Sequence, residues 1–186
     1  MIKVSFIGLG NMGKPMALNL ITSNFDLNIF DINKELYKSF SNIKCKKAKQ
    51  MHELVDDTKV FITMLPNGNA LKKAVLDKGG LIHFIKKKSI LIDCSSVDYK
   101  STIEISKSLK EKGVEFLDAP VSGGVSGAKN AALTIMIGGK KNIFNNCKNI
   151  LNKLGKNLIY CGKTGSGQIV KACNNMMLGI NMIGVC

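Results

Sequence analysis

The sequence predicts a doubly wound α/β fold, with a mostly parallel sheet covered by helices on both faces, followed by the start of a long helix from an all-α domain missing from the chain. Three observations predict it. Short β-branched runs alternate with helical stretches, the pattern of parallel βαβ units. Runs such as VFITML (60–65) and SILID (89–93) are almost continuously apolar, as strands buried on both faces must be. A glycine-rich turn, GLGNMG (8–13), joins the first such run to the first helical stretch.

Taken in order, the strand candidates are Ile2–Ile7, Leu27–Phe30, a weak one near Cys45–Ala48, Val60–Met64, Ile90–Asp93, Val114–Leu117, Leu133–Ile137 and Asn157–Tyr160. Between them Asn11–Thr22, Lys34–Phe40, Ala70–Leu76, Lys100–Lys112 and Lys141–Leu154 read as helices. Gly113 sits where a left-handed helix cap suits glycine. Residues 1–161 thus form one sheet-based domain. GKTGSG (162–167) is a turn or linker, and from Gln168 onward one helical pattern runs to Cys186. Its last eleven residues, MMLGINMIGVC, contain only Asn181 as a polar side chain. A helix apolar on most faces needs a partner, so residues 162–186 are expected to be a linker and the beginning of an interdomain helix leading into a helical C-terminal domain.

Composition narrows the function classes. The chain has 186 residues, 45% hydrophobic and 22% charged, with a formal net charge of +14. All its basic side chains are lysines, aromatics make up 6%, and tryptophan is absent. Nucleic-acid readers use arginine forks and stacking aromatics, so dispersed lysines argue for a solvated basic surface and against a nucleic-acid partner. Six scattered cysteines and two isolated histidines, His52 and His83, lack metal-ligand spacing, so free thiols and no metal are expected. Cys94 and Cys173 flank the expected cleft without an activating partner in sequence, and packing suits them better. No apolar run reaches membrane-spanning length, since Lys171, Asn174, Asn175 and Asn181 interrupt the nearest one. A strand beginning at residue 2 leaves no presequence within the chain, so the expected compartment is the cytoplasm, or the mitochondrion if a presequence has been removed.

The GLGNMG turn has the strand–turn–helix setting of a Rossmann nucleotide cradle. Gly8 would allow the tight turn, Gly10 the approach of a pyrophosphate, and Gly13 close helix–strand contact, with Leu9, Asn11 and Met12 completing the loop. Asp31 follows the next strand, where a carboxylate accepts from ribose hydroxyls and repels a 2′-phosphate. NAD is therefore expected over NADP, although Lys34 lies close enough in sequence to reach a 2′-phosphate.

Longer stretches carry a resemblance: FIGLGNMGKPMALNL (6–20), TMLPNGNA (63–70), IDCSS (92–96), DAPVSGGVSGAKNAALTIMIGG (118–139) and GSGQIVKACNN (165–175). In order and spacing the chain resembles the 3-hydroxyisobutyrate dehydrogenases within the β-hydroxyacid dehydrogenase family. The resemblance implies hydride transfer between NAD and a small β-hydroxyacid or semialdehyde, in an enzyme that is a homo-oligomer at full length. The sequence leaves open glyoxylate, succinic semialdehyde or tartronate semialdehyde reductases of the same family, and a non-catalytic dinucleotide-binding module. By matched position, Leu65 and Pro66 would line the cofactor cleft and Ser96 would lie beside the nicotinamide. Ser122, Gly123 and Gly124 would hold the substrate carboxylate, Lys171 would be the catalytic acid–base, and Asn175 would orient the substrate. One position departs from the family pattern: the cofactor-contacting Asn expected at 70 is Ala70, with Asn69 one place earlier. On residue types alone, Gln168, Lys171, Asn174 and Asn175 form a polar stripe on an otherwise apolar helix. Such a stripe faces either bulk water or a wet internal cleft.

Overall fold

A computed structural model describes residues 2–23 and 25–185. Its strands are β1 (Lys3–Ile7), β2 (Asp26–Phe30), β3 (Lys46–Lys47), β4 (Val60–Thr63), β5 (Ile90–Asp93), β6 (Glu115–Asp118), β7 (Val121–Ser122), β8 (Leu133–Gly139) and β9 (Gly155–Gly162). The helices are α1 (Gly13–Thr22), α2 (Gly68–Val75), α3 (Tyr99–Glu111), α4 (Gly124–Lys129), α5 (Lys141–Leu151) and α6 (Ser166–Val185). All these strands join one sheet in the order β3-β2-β1-β4-β5-β6-β8-β7, with β9 paired to β8. The neighbours from β3 to β6 are parallel; β8 runs antiparallel to β6 and β7. The fold is the doubly wound α/β sheet the sequence predicts, continued into α6.

Alternation along the strands explains the continuous apolar runs. Phe6, Ile62, Ile92 and Leu117 point into one core with Met16 and Leu20 of α1 and Phe144 of α5. Ile7, Phe61, Leu91 and Phe116 point into the other with Leu71 and Val75 of α2 and Ile105 and Leu109 of α3. Each strand thus seals two layers at once. A polar cluster interrupts this pattern near the start of the sheet: Ser5 Oγ donates to the Leu54 carbonyl at 2.7 Å, and Asn28 Nδ2 donates to Ser5 and Thr58.

Several boundaries differ from expectation. α1 starts at Gly13, because Asn11 and Met12 belong to the turn over β1. α2 starts two residues early, at Gly68, where the Asn67 side chain accepts from the Ala70 amide at 2.9 Å and supplies the N-cap. Residues Lys34–Phe40 wind as a 3₁₀ helix, and α5 stops at Leu151, three residues short of the expected Leu154. The short β7 and α4 were not foreseen, since a two-residue strand and a Ser/Gly-rich turn of helix carry no periodic signal. Gly113 adopts φ +72°, the left-handed cap its position demands. Among the described residues no helix is long and apolar enough to cross a membrane. Cys45, Cys94, Cys147, Cys161 and Cys173 all carry free thiols.

Two carboxylates end neighbouring strands in register, Asp93 on β5 and Asp118 on β6. Asp93 is fully buried; its Oδ1 accepts from Thr63 Oγ1 at 2.8 Å and from the Ser95 amide at 3.1 Å, and Oδ2 has no partner among the described residues. Burial pushes its pKa from 3.8 up to about 6; the hydrogen bonds from Ser95 and Thr63 oppose the rise and the charge of Asp118 adds to it. A raised folded-state pKa stabilises the fold fully below the unfolded value, and that stabilisation is lost as pH rises through about 6. In urea unfolding across pH, the wild type should lose ~3 kcal/mol relative to Asp93→Asn between about pH 4 and about pH 8. A difference that stays flat with pH would show that Asp93 does not titrate in this range.

Candidate active site

The sheet order reverses direction between β1 and β4, and a cleft of about 980 Å³ opens there beyond the carboxyl ends of the strands. Gly8, Gly10, Asn11, Met12 and Gly13 line one side, Asp31 to Asn33 one end, and Leu65, Pro66 and α2 the other side. The three glycines have distinct physical duties. Gly8 holds φ +97° and donates its amide to the Phe30 carbonyl at 2.9 Å, and a Cβ there would run into the Met64 carbonyl oxygen. A Cβ on Gly13 would overlap the Gly8 carbonyl oxygen, so its absence lets α1 close onto β1. A Cβ on Gly10 would meet no protein atom within 4 Å. Packing does not require glycine at position 10, and the open space over it leaves room for a ligand backbone.

Asp31 braces this cradle. Its Oδ2 accepts from the Leu9 amide at 2.7 Å and its Oδ1 from the Asn33 amide at 2.8 Å, which fixes two loops and leaves lone pairs free for hydroxyl donors. Leu9 is otherwise turned into the core, fully buried, and its role is to present that amide to Asp31. Lys34 does not line the cleft. Its ammonium donates to the carbonyls of Asp31 (2.7 Å) and Ala48 (3.4 Å) and to Tyr37 Oη (3.3 Å), and lies 4.0 Å from the Phe30 ring centroid. Held in this way, its ammonium lies beside the Asp31 backbone and over the Phe30 ring, both of which line the cleft. Asn69 and Ala70 both line the cleft, so an amide is available there one residue before the position the family pattern uses.

A second hollow of about 320 Å³ adjoins the first and is lined by Ser96, Gln168, Lys171 and Asn175, together with Asn67, Gly68 and the Val97–Asp98 step. Asn67 lines both cavities, so they meet at that residue. Lys171 is half-buried on α6, and desolvation lowers its pKa below the ordinary lysine value. Ser96, just past β5, is exposed in the same hollow.

The helix carrying Lys171 is anchored by groups that sequence reasoning left unassigned. Asp118 Oδ1 accepts from the Gly165 amide at 2.7 Å and Oδ2 from the Gln168 amide at 3.1 Å, so a buried carboxylate caps the start of α6. Burial raises the Asp118 pKa, and these amide bonds oppose the rise. Gln168, only 5% exposed, donates from Nε2 to the Ser95 carbonyl at 2.8 Å and accepts the Val97 amide at 3.2 Å. Ser95 Oγ in turn accepts the Leu65 amide at 2.8 Å. A carboxylate ending an apolar strand was the one readable signal, at Asp118; Ser95 offered none.

The polar stripe of α6 divides. Gln168, Lys171 and Asn175 face the hollow, whereas Asn174 turns to β7 and donates to Ser122 Oγ at 3.4 Å. Adjacent helical residues point about 100° apart, so Asn174 and Asn175 serve different walls. The side chain that reaches Ser122 is thus Asn174, while its neighbour Asn175 lines the hollow. Gly123 and Gly124 are exposed with φ +129° and +60°, and turn the chain from β7 into α4.

The glycine geometry yields a paired expectation. Gly13→Ala should destabilise the fold by ~2–3 kcal/mol through backbone overlap, whereas Gly10→Ala should alter stability by less than ~0.5 kcal/mol. Calorimetric titration with NAD should show the reverse priority, with Gly10→Ala folded and its affinity down about tenfold or more. Normal binding by Gly10→Ala would remove the ligand path over this loop.

Comparison with known proteins agrees with this arrangement. A family profile described as the NAD binding domain of 6-phosphogluconate dehydrogenase matches residues 3–162. The mitochondrial 3-hydroxyisobutyrate dehydrogenase of Rattus norvegicus is 41% identical over 181 residues, 97% of this chain and 54% of that protein. A 3-hydroxyisobutyrate dehydrogenase of Pseudomonas aeruginosa is 36% identical over 99% of this chain and 62% of its own length. Among solved structures, the Mycobacterium tuberculosis 3-hydroxyisobutyrate dehydrogenase with L-serine superposes with a TM-score of 0.94 at 32% identity, covering all of this chain and 62% of that one. The chain therefore spans a little over half the length of these relatives. With its cradle, its bracing Asp31 and its sheet order all in place, the chain belongs to the NAD-binding domain family of 6-phosphogluconate dehydrogenase.

Proposed function

We propose that this chain is the cofactor-binding portion of a β-hydroxyacid dehydrogenase acting on a small hydroxy acid or semialdehyde, with 3-hydroxyisobutyrate as the leading substrate. The observation that carries the reading is the placement of Lys171: a partly desolvated amine in a hollow that adjoins the nucleotide cleft at Asn67, with Ser96 and Asn175 beside it. NAD, when bound, supplies the hydride acceptor. In the glycine cradle and at Asp31, the residues fit an adenine dinucleotide, and the carboxylate favours NAD over NADP.

Lys171 then handles the proton. A lysine whose pKa is lowered by burial holds more of its population as the neutral amine near neutral pH, and can accept the proton of the substrate hydroxyl at Nζ. In the reducing direction the same ammonium returns that proton to the carbonyl oxygen. Asn175, one turn further along α6, orients the substrate from the same wall. Ser122, already engaged by Asn174, presents its hydroxyl with the Gly123–Gly124 backbone to the acid end.

We assign residues 1–161 to the dinucleotide-binding domain and 162–186 to the linker and first helix of a helical domain. Met176, Met177, Leu178, Ile180, Met182, Ile183 and Val185 of α6 are all more than half exposed, an apolar surface that a following helical domain would cover. Homo-oligomerisation and the compartment, cytoplasmic or mitochondrial, belong to the same proposal.

The test is an assay of the polypeptide extended past α6, with 3-hydroxyisobutyrate and a panel of semialdehydes and both nicotinamide cofactors. Lys171→Ala should lower kcat by ~10²–10⁴-fold while leaving NAD affinity within about threefold. In the oxidising direction the wild-type rate should rise with pH as Lys171 loses its proton. Near-normal turnover by Lys171→Ala would end the assignment.

A further inference from the structure

The nucleotide cleft has walls of opposite charge. Asp31 lines it from the end of β2, and Lys73 in α2 and Lys78 in the loop after it line the same cavity. These are the three charged side chains that line the cleft. The neighbouring lysines are otherwise engaged. Lys34 is held by two carbonyls and Tyr37, and Lys72 pairs with Glu104 of α3 at 2.5 Å. Lys73 and Lys78 are exposed and have no carboxylate partner among the described residues. The cleft that Asp31 lines therefore also carries two lysines on long side chains with no carboxylate partner among the described residues.

We propose, building on the reading of this cleft as an adenine-dinucleotide site, that Lys73 and Lys78 are a latent counter-charge for a phosphate on the adenosine ribose, held off by Asp31 alone. The cleft would then reject a 2′-phosphate through one carboxylate rather than through any shortage of positive charge. Asp31 accepts from ribose hydroxyls and repels a phosphate dianion placed on one of them. With that carboxylate neutralised, the same phosphate meets an uncharged amide on one side and two ammonium groups on the other, which can form charge-assisted hydrogen bonds to it. Two lysines at such a wall act as adjustable point charges and do not impose the fixed geometry of an arginine fork. The composition of the chain, with lysine as its only strongly basic side chain, makes this the available form of phosphate recognition.

The experiment uses 5′-AMP and 2′,5′-ADP, which differ only in the 2′-phosphate, titrated calorimetrically into the protein. The wild type should bind 5′-AMP more tightly than 2′,5′-ADP. Asp31→Asn keeps one amide-accepting oxygen for the loop, and should raise 2′,5′-ADP affinity by about tenfold or more, with the gain shrinking as salt is added. Adding Lys73→Gln and Lys78→Gln to Asp31→Asn should abolish that gain while 5′-AMP still binds. The two lysine changes in the wild-type background should weaken 2′,5′-ADP more than 5′-AMP, which probes the lysines without disturbing the cradle. A gain that survives loss of both lysines, or equal effects on the two nucleotides, would overturn the proposal. Failure of the wild type to bind 5′-AMP at all would overturn the nucleotide reading itself, and the lysine assignment with it.

Discussion

The site depends on one buried carboxylate holding the start of one helix. Asp118 ends β6 deep in the fold, and its two oxygens take the amides of Gly165 and Gln168 that open α6. Those amides have no intrahelical acceptor of their own, so a charge fixed to the sheet supplies what the helix lacks. The approach is close enough to dictate neighbouring residues: a Cβ on Gly138 would press on Asp118 Oδ1, and one on Gly167 would meet the Met136 carbonyl. Lys171 follows Gln168 by one turn. Its position relative to the nucleotide cleft is therefore set by the sheet, through a rigid helix end, rather than by a loop.

Gln168 extends the same constraint in a second direction. Its amide group bridges the Ser95 carbonyl and the Val97 amide, so the segment bearing Ser96 is tied to the helix bearing Lys171. Ser95 passes the connection on to Leu65 at the cleft wall. Three chain segments distant in sequence, beyond β4, beyond β5 and at the start of α6, are locked together by three short polar contacts. An arrangement of this kind can hold Lys171, the proposed proton-transfer group, and the cleft wall in fixed relation.

How much of this was legible beforehand follows from the kind of signal each feature leaves. The parallel sheet was readable because strands buried on both faces leave runs such as Val60–Thr63, and the cradle because tight turn, helix contact and ligand approach each call for glycine at Gly8, Gly13 and Gly10. Asp31 was readable from its place after β2. Spacing along α6 identified a polar stripe but could not divide it, since helical periodicity gives the angle between Asn174 and Asn175 without saying which wall each meets. β7 and α4 escaped because elements of two and six residues show no period. The tethering of Lys34 escaped because its acceptors are backbone carbonyls, and every residue type carries those alike.

The two acids at the carboxyl edge of the sheet show why neighbouring positions acquire different duties. Asp118 has its charge compensated by helix amides, whereas Asp93, its register partner on β5, leaves Oδ2 without a partner among the described residues and is pushed toward the protonated form. Two adjacent buried carboxylates resist simultaneous ionisation, and burial raises both pKa values; at Asp118 the amides of Gly165 and Gln168 oppose the rise. Protonation of Asp93 therefore favours the clamp, since it removes a like charge from beside Asp118 and leaves the helix end facing a single anion. The buried polarity of this edge is thus divided between two acids with separate donors, Thr63 and Ser95 for Asp93 and the opening amides of α6 for Asp118, and the proposed proton-transfer lysine takes its place from the second set.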